Sequence, residues 1–140
     1  LLKTAVLFHD AGHIICYDDH EYHGTVLARQ YLPKYGYTNQ QIDTICNLIM
    51  STKLPPKPKN KLEAILCDAD LDYLGRSDMI PVSGNLFKEL KKQRKIDSLN
   101  DWNKLQVQFI SGHQYFTDTA RNLREVNKQK QIDRLKQIII

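Results

Sequence analysis

Apolar residues recur at steps of three and four through most of this 140-residue chain, and no sustained alternation of period two appears anywhere. A side chain returns to the same face every 3.6 residues in a helix and every second residue in a strand, so the pattern predicts an all-α fold. At 140 residues the chain is long enough to bury a core without staples, and a single compact multi-helix bundle over residues 1–140 is expected.

Local signals place the helices. Leu1 to about His9 reads as the middle of a buried helix that stops near Gly12, so the chain looks like a piece of a longer protein. Asp18 or Asp19 can cap a second helix from His20 to Leu32, which Pro33 ends. Gly36-Tyr-Thr38 is a turn with Thr38 as N-cap, and Ile42, Ile45, Cys46 and Ile49 form the apolar stripe of the next helix. Leu54-Pro-Pro-Lys-Pro-Lys-Asn60 breaks helicity, because proline removes backbone donors, and it reads as a connector within one domain. A helix from Lys61 to about Leu74 is expected to bury Leu62, Ile65, Leu66 and Ala69, with Gly75 as a left-handed cap. Ser98 starts a helix carrying Leu99, Trp102, Leu105, Val107 and Phe109. After a break near Phe116-Thr117-Asp118 a long amphipathic helix runs to the end, where Ile138-Ile139-Ile140 can dock on its own core or on a neighbour.

Composition narrows the function classes. Cys16, Cys46 and Cys67 form no CxxC and read as small core residues, which argues against a zinc knuckle or a disulfide framework. No run of about 18 apolar residues suggests a membrane span, so a cytoplasmic location without membrane partners is the expectation. The net charge of +4 invites an anionic partner. Aromatic residues do not interleave with the lysines of Lys88–Lys95 or of the last twenty residues, and these charges recur at helical spacing. That pattern describes a solvated helix face and argues against nucleic-acid binding.

Two stretches carry candidate chemistry. In VLFHDAGH, an apolar helix ends in His9-Asp10, whose side chains diverge by about 100° but can share a cavity if the backbone turns away there. Imidazole and carboxylate together suit Mn²⁺, Fe²⁺, Co²⁺, Ni²⁺ or Zn²⁺, and the carboxylate adds Mg²⁺. In ILCDADLDYL, Asp68, Asp70 and Asp72 interrupt an apolar helix, and carboxylates in a core stripe call for a cation. Spacing alone also allows Asp68 and Asp72 to be exposed while Asp70 caps the helix or pairs with an arginine.

VLFHDAGH followed by ILCDADLDYLGR resembles the HD superfamily of metal-dependent phosphohydrolases, whose pattern is a distant His, a His-Asp doublet and a final Asp. His20-Glu-Tyr-His-Gly-Thr-Val-Leu-Ala-Arg29, the Thr52-Lys-Leu-Pro-Pro segment and His113–Arg121 are also similar to such proteins. The resemblance implies an HD-type bundle and one divalent metal ion held by His9, Asp10 and Asp70, with His20 as a further ligand or phosphate contact. It places the family's first His upstream of Leu1. Ser51-Thr52 stands where two-metal members carry His-His, hence the expectation of a single ion. The implied reaction is hydrolysis of a phosphate ester or anhydride, with a nucleotide as substrate class. His13 and Glu21 are the candidate acid and base, Asp68 would fix a ligand, and Lys53, Arg76, His113 and Arg121 would contact phosphate. The rival reading is an inactive HD-like module that binds a ligand or partner.

Overall fold

The computed structural model describes residues 1–140 and contains helices without strands. The α-helices are α1 (Leu2–Phe8), α2 (His20–Tyr31), α3 (Asn39–Ser51), α4 (Lys61–Asp70), α5 (Met79–Lys92), α6 (Leu99–Gly112) and α7 (Asp118–Gln137). Short 3-10 turns lie at Ala11–Ile14, Leu32–Tyr35 and Asp72–Gly75. The chain forms two compact units, Leu1–Asp70 and Leu71–Ile140. No helix is long and apolar enough to cross a membrane.

The first unit is built around α3. Thr38 caps it with a reciprocal pair of bonds: its hydroxyl accepts from the Gln41 amide at 3.2 Å, and its own N–H donates to Gln41 Oε1 at 2.9 Å. Ile42, Ile45, Cys46 and Ile49 are buried, as the stripe predicts, and Leu48 joins them. They pack with Ala5 of α1, Ala28 of α2, Leu32 and Leu66 of α4. Each buried Ile or Leu contributes about 1.5–3 kcal/mol, which makes this the main stabilising cluster of the unit. Gly36 adopts φ +79°, a left-handed turn that glycine permits.

Several expectations of burial do not hold. In α1 only Ala5 is buried, and Leu7 is 76% exposed, because a two-turn helix can turn only one side to α2 and α3. In α4 the buried residues are Glu63, Leu66, Cys67 and Asp68, whereas Leu62 and Ala69 are exposed and Ile65 is half-buried. Periodicity finds an apolar stripe but not which edge of it the core takes. Cys16 is exposed, unlike Cys46 and Cys67, because it follows a 3-10 turn on the surface. Asp19 precedes α2 at φ 54° without capping it, since its carboxylate is engaged by Lys53.

The second unit has a smaller core of Leu71, Leu74, Met79, Ile110, Ile132 and Leu135, with Tyr73 packed at its edge. α4 ends at Asp70, and the following 3-10 turn carries Asp72 to Gly75. Gly75 is not left-handed. A Cβ there would lie 2.5 Å from the Arg124 Cβ, so glycine permits close packing against α7. Sequence patterning placed only the charged end of α5 on a helix. Ser98 and Thr117 cap α6 and α7 by accepting from the Asp101 and Ala120 amides. Leu99 and Leu105 face solvent, while Trp102, Asn103, Gln106 and Ile110 are buried. The buried side of α7 is half polar, with Lys128 and Gln131 beside Ile132 and Leu135. Ile140 is tied to α6, its N–H and C=O both bonding the Asn100 side chain at 2.9 Å.

Candidate metal centre

The helical run of α1 stops at Phe8, but His9 keeps helical dihedrals and its N–H still bonds Ala5. Asp10 then turns the chain into the 3-10 segment, which turns the doublet's two side chains toward shared space. His9 Nδ1 donates to the Val6 carbonyl at 2.7 Å. A carbonyl can only accept, so this bond fixes the ring and turns Nε2 away from the backbone.

His9 Nε2 lies 3.3 Å from Asp10 Oδ2 and 3.3 Å from Asp70 Oδ1. Ligand atoms about 2.0–2.2 Å from one ion stand roughly 3.0–3.5 Å from each other, so the spacing fits a shared cation. The imidazole is raised to about 9, first by its bond to Asp70, against partial burial, and then by the Val6 carbonyl and the two carboxylate charges. The pair of carboxylates thus draws positive charge to Nε2, whether a proton or a metal ion supplies it.

The other oxygen of Asp10 faces a second group. Asp10 Oδ1 lies 3.6 Å from His20 Nε2 and 3.9 Å from His13 Nε2, and the two imidazoles stack with centroids 3.8 Å apart. Glu21 is buried, with Oε1 3.5 Å from His20 Nε2. His9, Asp10 and Asp70 form one set of donor atoms within 4.8 Å of each other, and Asp10, His13 and His20 form another.

Two glycines bring α2 to this place. A Cβ on Gly12 would stand 1.8 Å from the His20 carbonyl oxygen, and one on Gly24 would stand 2.5 Å from the Phe8 carbonyl oxygen. Only glycine lets the start of α2 and the end of α1 approach so closely. Sequence reading assigned no role to Gly24, yet a glycine inside a helix, costly relative to alanine, was the available signal.

The remaining candidates are distributed as follows. Asp68 is buried on α4, two residues before Asp70. Asp72, not Asp70, pairs with an arginine: Arg124 Nε bonds its Oδ1 at 2.6 Å. Lys53 bonds Asp19 at 2.5 Å, next to His20. Arg76, His113 and Arg121 belong to the second unit. There Arg76 clasps Asp78 through two bonds of 2.8 and 2.6 Å, and Arg121 bonds Asp118 and the Tyr115 and Phe116 carbonyls. His113 packs edge-on against Tyr115. Ser51 and Thr52 turn their hydroxyls back onto the Leu48 and Ile49 carbonyls at 2.7 and 2.8 Å.

No curated protein and no solved structure matches the chain. A family model does: that of the HD domain, over residues 1–72, which takes in the doublet His9-Asp10 and the facing Asp70. The chain belongs to the HD domain family.

Proposed function

We propose that this protein is a metal-dependent phosphohydrolase that cleaves a phosphate ester or anhydride, with a nucleotide as substrate class. The observation that carries this reading is the convergence of Asp10 and Asp70 on His9 Nε2, each at 3.3 Å, with no lysine or arginine paired to either carboxylate. The nitrogen and oxygen donors fit one divalent ion, Mn, Fe, Co, Ni, Zn or Mg. When bound, such an ion polarises a phosphoryl oxygen and brings the pKa of a water toward about 7.

In this reading His9, Asp10 and Asp70 hold the ion, and His20 adds a nitrogen on the far side of Asp10. Glu21, buried with Oε1 3.5 Å from His20 Nε2, positions the ring and is the candidate base. His13, exposed beside Asp10, is the candidate acid for the leaving oxygen. Asp68 is a positioning residue on the buried side of α4. Lys53 is the preferred phosphate contact of the four cations named from the sequence. Its bond to Asp19 sets it beside His20 in the unit that carries the cluster, whereas Arg76, Arg121 and His113 belong to the other unit.

The test is metal content by mass spectrometry together with phosphate release from a panel of nucleotides. About one ion per chain, and phosphate release that disappears in Asp10→Ala, is the expected outcome. Metal retained in Asp10→Ala would overturn the assignment of the site. Metal bound without phosphate release from any nucleotide would leave a ligand-binding HD module instead.

A further inference from the structure

The connector between α3 and α4 is unused by the metal cluster, yet it shapes a pocket of about 410 Å³ within the first unit. That volume lies within the roughly 300–1,000 Å³ typical of small-molecule sites. Lys53, Lys57 and Lys59 line it, and Met50 and Leu54 give it an apolar wall.

Its charges are unbalanced. The lining carboxylate, Glu63, is buried and already satisfied: Oε2 accepts the Lys59 N–H at 2.6 Å and Oε1 accepts from the Asn60 amide at 2.8 Å. Lys53 is held by Asp19. The Lys57 and Lys59 ammonium groups have no carboxylate against them. Pro55, Pro56 and Pro58 restrict the backbone that carries both lysines, so less conformational entropy is lost when they close on a ligand. Two unneutralised ammoniums on a stiff segment beside an apolar wall suit a ligand with several adjacent negative oxygens.

We infer that this pocket binds the phosphate chain of an oligophosphate ligand. Lys53, which lines the pocket, bonds Asp19, the residue that precedes His20 of the candidate metal centre. Resting on the hydrolase reading above, the pocket makes the substrate a molecule with more than one phosphate. Its binding of phosphate does not require hydrolysis.

The experiment is calorimetric titration of inorganic tripolyphosphate into the full 140-residue chain in metal-free buffer at low salt. Saturable binding is expected, weakened at least about tenfold in a Lys57→Glu/Lys59→Glu double variant and unchanged in Asp10→Ala. A Lys57→Gln/Lys59→Gln variant should weaken binding less, in the same direction, and circular dichroism of both should match the parent because both lysines are exposed. No saturable binding to the parent chain, or equal binding to the double variants, would overturn the pocket. Tripolyphosphate binding with no nucleotide hydrolysis would remove the hydrolase reading and leave the pocket standing.

Discussion

The aspartates of the candidate metal cluster and those of the second unit are partnered in opposite ways. In Leu71–Ile140, Asp72, Asp78 and Asp118 each bond an arginine: Arg124, Arg76 and Arg121. In Leu1–Asp70, Asp10 and Asp70 meet only imidazoles, at 3.3–3.9 Å. An arginine-paired carboxylate has its counter-charge built into the fold. One that faces histidines has a partner whose own charge is conditional, so the group remains able to accept a cation from solution. The family match, which covers residues 1–72, takes in both aspartates whose partners are conditional.

The largest effect should come from setting the two kinds of aspartate against each other. Asp70→Asn is expected to abolish metal retention while far-UV circular dichroism stays near that of the parent. Asp72→Asn, two residues on, should keep the metal and lower the melting temperature modestly through loss of its half-buried Arg124 pair. Equal metal loss in both would erase the distinction between the two kinds of aspartate.

A second contrast concerns glycine. Gly24→Ala drives a Cβ to 2.5 Å from the Phe8 carbonyl oxygen and should destabilise by about 1–3 kcal/mol. Gly84→Ala, on α5 with nothing within 4 Å of the new Cβ, should stabilise by about 0.5–1 kcal/mol. Denaturant unfolding of the two variants checks both signs.

The smallest effect is a titration. Arg76 holds the Asp78 carboxyl below its ordinary value of 3.8. A carboxyl depressed in the folded state adds stability that is present above that value and is lost as pH falls through the folded pKa. Carbon-detected NMR of the Asp78 carboxyl should show the depression, and Arg76→Gln should return the titration to the ordinary range. An unchanged titration in Arg76→Gln would mean that the pair carries no charge coupling.

Much of the fold was legible because its signals are local. Thr38 and Ser98 cap helices where the sequence places their starts, α7 begins at the expected break, and Ile42, Ile45, Cys46 and Ile49 fill the core from one face of α3. Burial on α1 and α4 was less legible. Val6 and Leu7 are as apolar as core residues yet lie exposed, since which face is covered depends on elements distant in sequence. Gly75 was misread for the same reason: its requirement comes from Arg124, about fifty residues away, and not from its own turn.

The amino-acid sequence by itself determined that the chain is helical, where its helices are capped, and that His9-Asp10 and one aspartate of the Asp68–Asp72 run are its unusual groups. Periodicity, capping and motif spacing are properties of neighbouring residues, so they are written in order along the chain. Tertiary structure decided which aspartate faces the doublet and which takes an arginine, since that choice depends on packing across some sixty residues. It also decided that His20 reaches Asp10, because only the close approach allowed by Gly12 and Gly24 brings the start of α2 to the end of α1.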